Sequence, residues 1–558
     1  MSKNSPRDSV LGERIIPRSA VGNQSDSVIG GFLTMDNFIA GQRVPSERYI
    51  HTVHADTLLT DAFTWLARKR NLDRGTITMG ADDSAIVGRT ALATSEDLEN
   101  AIIAGRRAAL DWAARPSSDH REFLRRANRA LQENSKYIEE LLVAEGHPRK
   151  LAQWEIDGIL KGTSLSTHDF CNTLNGNPHK IDGSVVALRR RPSGLVGLIP
   201  SQNAAAATSL LGLMAVASGN TIIVKPPRSS PLATSWIWQE VIYPQLVSLD
   251  APSGTLSVLC APPQSTIERW IDNDGVDCLF YVGQSKRGIQ IGQSCMERGV
   301  RPVLELSGND SLIVWKDADI EAAANAAAEC FYGSAQICMV PKRIAVHPDI
   351  ADYFLELLVE KAQAIRPGLP SDPDVLLSPV LNPQLFREIL EEAVNAGGKL
   401  LTGGRSLDHE GREDIAGAFI EPTIVLFQAG QDGFPVLRAI EEETFFPLLP
   451  VISWRPEEET VILEEMIHFV NSNKYGLRNS LWTRSSVIAQ YWLDRVSNGG
   501  ILKVNCSHIG FSEILPTHGG TGWSGGPFGE ANYPAVTTTR LQAVQINHDY
   551  WEGNISRW

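Results

Sequence analysis

Glu305, in the stretch Leu304–Gly308, and Cys338, at the end of Gly333–Cys338, are the residues of this chain best suited to covalent chemistry. A cysteine thiolate is a soft nucleophile that can form a thioester, and a carboxylate base can bring in the water that hydrolyses it. Taken alone, a cysteine is more often a small buried hydrophobe than a catalyst, so its neighbourhood has to decide.

A second chemical feature is Gly283–Gly288, which has the GxxxxG outline of a phosphate loop. Ile289 stands where a P-loop requires lysine, so nucleotide hydrolysis is not supported. What remains is a strand over Val276–Val282 followed by glycine at a helix start, a place where backbone N–H groups can seat a pyrophosphate.

The elements that must position these residues are legible in the hydrophobic pattern. Thr94 with Asp97 resembles a capping box, and Leu98, Ile102, Ala109 and Trp112 follow at helical spacing. Pro116 interrupts, Asp119 can cap a second helix carrying Phe123, Leu124, Ala127 and Leu131, and Thr94 to Asn134 therefore reads as a helical hairpin. After Asn177–Pro178, residues Ser184 to Leu188 read as a strand running into Arg189, Arg190 and Arg191, a solvated edge or subunit contact rather than a phosphate site. From Gly194 to Thr255 short apolar runs (Leu195–Ile199, Thr221–Lys225) alternate with helical ones (Ser209–Ala217, Ser235–Leu246), the mark of parallel strands joined by crossover helices. A second α/β stretch begins at Pro302, with strand-like runs from Leu312, Arg343, Ile424 and Leu449 and an alanine-rich helix over Ile320–Cys330 that leads to Cys338.

Composition sets outer limits. A chain of 558 residues is too long for one core, and a prior of about 150 residues per domain gives two to four units. Its net charge of -14 would repel polyanions, which argues against nucleic acid as a partner. The 7 cysteines show no C-x-x-C and no His-Cys cluster, so neither a disulfide framework nor a metal site is indicated and a reducing compartment fits best. Met1 to Gly30 lacks the apolar core of a signal peptide and reads as a mobile tail, and no apolar run has the length of a membrane span. The expectation is a cytoplasmic protein.

Seven stretches then form an ordered set: Gly194–Asn203 (GLVGLIPSQN), Gly219–Pro226 (GNTIIVKP), Leu304–Gly308 (LELSG), Gln336–Cys338 (QIC), Glu442–Pro447 (EETFFP), Tyr475–Leu477 (YGL) and Gly500–Asn505 (GILKVN). Their order and approximate spacing resemble the aldehyde dehydrogenase superfamily, from about Thr94 to Ile546. Each motif is degenerate alone; the ordered series is specific.

The resemblance implies a set of roles. Cys338 would attack an aldehyde carbonyl, the Asn203 amide and the Cys338 backbone N–H would hold the oxyanion, and Glu305 would activate the hydrolytic water. The cofactor would be NADP or NAD. Lys225 resembles the lysine that bonds the adenosine ribose, Glu443 and Phe445 the pair that fixes the nicotinamide ribose, and Gly283 and Gly288 would border the pyrophosphate. The implied fold is α/β: a discontinuous Rossmann-like dinucleotide-binding domain (1–168 and 191–304), an α/β catalytic domain (305–528) and a small β oligomerisation domain (169–190 and 529–558). In the last, Ile181 to Arg190 would pair with a strand near Thr537 to Ile546, giving a homodimer or homotetramer.

Departures from the pattern carry their own expectations. Arg228 stands where many NAD-using relatives place a glutamate, and a guanidinium there favours a 2′-phosphate, so NADP+ should be accepted. Gln284 replaces a small hydroxyl residue, Phe446 a glycine, and Asn309 a common lysine. Ala204 to Ala207 replace a bulky pair and suggest a wider entrance; Ile337 and Met339 should line an apolar tunnel, with His508 to Phe511 as its outer wall. Residues 1 to 93 match the family poorly, and Trp65 to Asp73 have no assigned role. Two alternatives stay open: a CoA-acylating aldehyde dehydrogenase, against which Glu305 argues, and a catalytically silent protein of the same fold.

Overall fold

The computed structural model describes residues 31–80, 82–174, 178–430 and 433–547. The N-terminal tail expectation and the last part of the expected oligomerisation domain lie outside them. Two seven-stranded sheets dominate. The first runs in the order Arg301–Glu305, Cys278–Val282, Leu195–Ile199, Thr221–Val224, Leu256–Val258, Asn37–Ile39, Gln42–Val44. Its first five strands are parallel, and Asn37–Ile39 closes onto Leu256–Val258 antiparallel. The inner parallel strands Leu195–Ile199, Thr221–Val224 and Cys278–Val282 are almost continuous apolar runs because helices cover both faces of the sheet, whereas the edge strand Arg301–Glu305 carries charge at both ends. The chain lays down Leu195–Ile199, moves outward to Leu256–Val258, then returns to the opposite side of Leu195–Ile199 with Cys278–Val282. That reversal opens a crevice at the carboxyl ends of these two strands, where open α/β sheets bind ligands.

The second sheet is ordered Lys399–Thr402, Thr423–Gln428, Leu448–Ser453, Pro341–Val346, Asp310–Val314, Arg478–Trp482, Ile501–Val504, parallel except for its first strand. A third, antiparallel sheet joins Thr539–Asn547, Ser184–Pro192 and His179–Ile181, with Ile546 opposite Val185 and Arg540 opposite Arg191. The strand pairing expected for the small β unit is therefore present, extended through the arginine run to Pro192. Near the N-terminus, Leu33–Met35, Ile86–Ala91 and Tyr49–Val53 form a small sheet on which α1 (Ala55–Thr60) and α2 (Ala62–Asp73) sit. Among the described residues no helix is long and apolar enough to cross a membrane.

The helical hairpin is observed as Ser95–Ala113 and Ser117–Glu133, and the capping box is complete: the Asp97 N–H donates to Thr94 Oγ1 at 3.1 Å, and the Thr94 N–H donates to Asp97 Oδ2 at 2.8 Å. The second helix corrects an expectation. Its cap is Pro116, with no side-chain hydrogen bond, and Asp119 sits inside the first turn, where its charge complements the helix dipole. The helix expected over Ser235–Leu246 spans Leu232–Val247 with a π turn at Ile237–Ile242, just before Pro244, which cannot donate an amide to the preceding turn. The alanine-rich helix ends at Ala328, earlier than Cys330, and gives way to a tighter turn that carries the chain to Ala335.

Candidate active site

Cys338 is presented by a strained turn. Gly333, Ser334 and Ala335 all have positive φ (59°, 57° and 57°), and two of them carry side chains. For Ser334 and Ala335 such geometry costs on the order of 1–3 kcal/mol each and persists only where surrounding bonds enforce it, whereas Gly333 adopts it freely. Here the Ser334 hydroxyl donates to the Ser378 carbonyl at 2.5 Å and accepts the Ser378 N–H at 3.0 Å, and the Gln336 amide donates to the Pro379 carbonyl at 2.8 Å while accepting the Leu381 N–H at 3.2 Å. The buried Lys342 ammonium donates to the carbonyls of Ala335 and Thr444. On the other side Gly308 leaves room for the Cys338 carbonyl: a Cβ there would collide with it.

The three candidate catalytic residues reach one cleft from different elements. Asn203 follows Leu195–Ile199, Glu305 ends Arg301–Glu305, and Cys338 precedes Pro341–Val346; all three line the cleft at the switch point of the first sheet. The Asn203 amide donates to the Gln336 carbonyl at 2.8 Å. Glu305, 2% exposed, accepts from the Gly519 N–H at 3.0 Å and from the Asn532 side-chain amide. Burial raises its carboxyl to about 8 against these two hydrogen bonds. Burial also pushes the Cys338 thiol up to about 12, with the nearby Glu443 and Asp310 charges adding to it and Arg478 opposing. Burial thus disfavours the charged form of each group.

Behind Cys338 lies a second cavity, an apolar tunnel lined by Trp154, Ala207, Met214, Ile337, Met339 and Phe511, and Cys338 and Asn203 border it as well as the cleft. The wall expectation for His508 to Phe511 is half right. Phe511 lines the tunnel and packs on Trp154 with ring centroids 4.9 Å apart, whereas His508 is fully buried beneath it, bonded to Ser480 at 2.7 Å and, through its carbonyl, to Arg478.

The residues expected at the cofactor are distributed along the same cleft. Lys225, Arg228, Gly283, Gln284, Glu443 and Phe445 line it. Lys225 is 3% exposed, is depressed from the usual lysine range by burial, and among the described residues finds only the Pro226 carbonyl at 3.5 Å, an ammonium short of partners. Glu443 accepts the Gly308 N–H at 2.9 Å and is raised by burial, with Lys342 opposing. Phe445 faces the Lys342 ammonium at 5.1 Å. Gln284, the N-cap of the helix Ser285–Glu297, makes no side-chain capping bond and lines the cleft together with Arg287, while the Ser285 N–H donates to the Ser307 hydroxyl at 3.4 Å. A Cβ on Gly283 would lie 2.5 Å from the Tyr281 hydroxyl. Gly288 differs from the others: it does not line the cleft, and the Leu306 side chain fills the place its Cβ would take, so it closes the helix onto Arg301–Glu305. Phe446 is buried against Phe386, with ring centroids 5.5 Å apart, and borders the cleft beside Phe445. The under-bonded Lys225, the Gly283 backbone and the Gln284 and Arg287 side chains at the helix start together fit a dinucleotide.

Several site residues gave no signal in the sequence. Asn532 lies 227 positions from Glu305, and its short motif has no chemical mark. Gly308 and Gln336 fall inside recognised stretches, yet their roles depend on a carbonyl and a turn that only folding brings near. Arg478, buried under the tunnel, donates to the carbonyls of His508 and Thr517 at 2.8 Å each.

Comparison with known proteins agrees with this geometry. The sequence model of the aldehyde dehydrogenase family matches residues 73–544, beginning before Thr94, so part of the stretch expected to diverge belongs to the common fold. The chain is 28% identical over 466 residues to the benzaldehyde dehydrogenase YfmT of Bacillus subtilis, covering 82% of this chain and 90% of that one. It is 28% identical over 475 residues to a vanillin dehydrogenase of Pseudomonas fluorescens, covering 82% and 92%. The glyceraldehyde-3-phosphate dehydrogenase GapN of Methanocaldococcus jannaschii, solved in complex with NADP, superposes with a TM-score of 0.70 at 25% identity, covering 83% of this chain and 96% of that one. With its two sheets, its cleft and a family match over most of its length, the chain belongs to the aldehyde dehydrogenase family and is an NAD(P)+-dependent enzyme of that family.

Proposed function

We propose that the protein oxidises an apolar, aromatic-sized aldehyde to its carboxylic acid through covalent catalysis at Cys338. The observation that carries this reading is the position of Cys338 at the meeting point of an apolar tunnel and a cofactor cleft, with Asn203 beside it and Glu305 along the cleft. An aldehyde entering through the tunnel presents its carbonyl carbon to Sγ. Cys338 attacks as the thiolate, its proton having passed to water, and gives a tetrahedral thiohemiacetal oxyanion that the Asn203 amide and the Cys338 N–H hold until the hydride departs and leaves the thioester. The nicotinamide cofactor, when bound, supplies the hydride acceptor. Glu305, as carboxylate, then takes a proton from the water that attacks the thioester, and Cys338 leaves as the thiol once the acid is released.

The tunnel wall of Trp154, Met214, Ile337, Met339 and Phe511 supports an apolar substrate, in keeping with the names of the benzaldehyde and vanillin relatives. Arg228, which lines the cleft together with Lys225, supports acceptance of NADP+ because a guanidinium rather than a carboxylate would face a 2′-phosphate there. The sheet of Thr539–Asn547 and Ser184–Pro192 is exposed along much of its length and supports a homodimer or homotetramer, which light scattering checks. The decisive experiment is a panel of aromatic and aliphatic aldehydes with each cofactor, reading reduced-cofactor absorbance, with Cys338→Ala as control. Turnover that survives C338A, or that requires coenzyme A, overturns this reading.

A further inference from the structure

The outer end of the cofactor cleft is walled by a helix that ends where the family match begins. α2 (Ala62–Asp73) turns one face toward the cleft, which Leu66, Lys69, Arg70, Asp73 and the following Arg74 all line. Their spacing of three and four is that of a single helical stripe. Asp73 holds this stripe in place. Its carboxylate accepts the Lys69 ammonium at 2.6 Å and the His51 backbone N–H at 2.8 Å, pinning the helix end to the strand Tyr49–Val53.

Those bonds use the only acid on the stripe and leave Arg70 and Arg74 without an ion pair among the described residues. Arg48 and Arg228, which line the same cleft, are likewise unpaired. Arg48, Arg228 and Lys69 belong to one corner, and Arg70 and Arg74 continue the face of α2 that carries Lys69. The Arg48 carbonyl accepts the Leu92 N–H at 2.8 Å, Leu92 bridges Cys260 at the end of the first sheet, and the Cys260 thiol feels the charges of Lys225, Arg228 and Lys69 together. The neighbouring acid, Glu145, is occupied by the N–H groups of Leu232 and Ala233 at 2.7 and 3.1 Å. A protein of net charge -14 thus gathers unpaired guanidiniums at one end of its cofactor cleft. Like charges so placed repel one another, and a dianion with three acceptor oxygens would relieve that repulsion.

We propose that α2 completes a phosphomonoester subsite at the adenosine-ribose end of the cleft, in which Arg70 and Arg74 join Arg228 in binding the 2′-phosphate of NADP+. The proposal deepens the cofactor reading above and rests on it. The 3′-phosphate of coenzyme A offers the same chemistry on the neighbouring ribose oxygen, so the test separates the two.

Calorimetric titration of the full chain with 2′,5′-ADP, 3′,5′-ADP and 5′-AMP reads the subsite without turnover. The wild type should bind 2′,5′-ADP at least about tenfold tighter than 5′-AMP, the worth of one charge-assisted contact. The double variant R70Q/R74Q should lose about tenfold of that preference, with its 5′-AMP affinity and melting temperature unchanged. If R228Q abolishes the preference and R70Q/R74Q retains it, the α2 subsite is wrong while the Arg228 reading stands. Equal binding of all three nucleotides overturns both, and a preference for 3′,5′-ADP overturns the NADP+ assignment in favour of coenzyme A.

Discussion

The side-chain amide of Asn203 donates to the Gln336 carbonyl at 2.8 Å, which ties the end of the strand Leu195–Ile199 to the turn that carries Cys338. This amide thus adds to the Ser334, Gln336 and Lys342 bonds that hold the nucleophile's turn, and leaves its second hydrogen for a developing oxyanion. Asn203→Ala should lower kcat by roughly 10²–10³-fold, the usual cost of one oxyanion donor. Steady-state kinetics check this, with alkylation of Cys338 as a measure of whether the turn has moved. An unchanged kcat would remove Asn203 from the chemistry.

Glu305→Gln keeps the hydrogen-bonding shape that Asn532 and Gly519 surround but removes the base. The first turnover should still deliver reduced cofactor, after which the acyl-enzyme persists and steady-state turnover falls by about 10²-fold or more. Rapid-mixing absorbance shows the burst, and intact-protein mass spectrometry shows the acyl adduct on Cys338. Hydrolysis at the wild-type rate would place the base elsewhere.

The pH dependence follows from the same carboxyl. Burial lifts Glu305 to about 8, and its active form is the carboxylate, so deacylation should rise with pH through about 8. Stability runs the other way. Between the ordinary value of 4.5 and about 8 the folded state binds a proton that the unfolded state has released, so this group's contribution falls as pH rises across that window. The loss is on the order of a few kcal/mol. Melting temperatures of wild type and E305Q from pH 5 to 9 should converge at the acid end and favour the glutamine variant at the alkaline end. Parallel curves would contradict it.

Gly308→Ala should damage the site without touching any reacting group. The added methyl would collide with the Cys338 carbonyl, and neither that backbone nor the Glu443 bond to the Gly308 N–H can yield cheaply. We expect a stability loss of about 1–3 kcal/mol together with lost activity. Thermal melts and thiol-labelling rates report the two effects separately.

Tunnel width is set in part by Ala207. Ala207→Phe should raise KM for benzaldehyde strongly while leaving short aliphatic aldehydes nearly unaffected, as a steric block in an apolar passage does. An equal effect on both classes would mean that substrate enters by another route.

Much of this protein is legible along the chain. Parallel strands such as Leu195–Ile199 announce themselves because burial on both faces demands unbroken apolar runs, and Cys338, Glu305, Asn203 and Lys225 stand out because their motifs are local and ordered. Arg228 and Gln284 were visible as departures from that order. What the chain could not reveal are relations between distant groups: the clash that forbids a side chain at Gly308, the Asn532 amide on Glu305, the burial that shifts the titration of Glu305, Cys338, Lys225 and Glu443, and the distinction between Gly283, which lines the cleft, and Gly288, which packs. The stripe on α2 belongs to the same class. Its arginines resemble any solvated helix face in sequence, and only docking of that helix at the cleft mouth, with Asp73 already taken by Lys69 and His51, leaves their charge without a partner. Periodicity records which face of an element is buried; tertiary packing alone sets what that face meets.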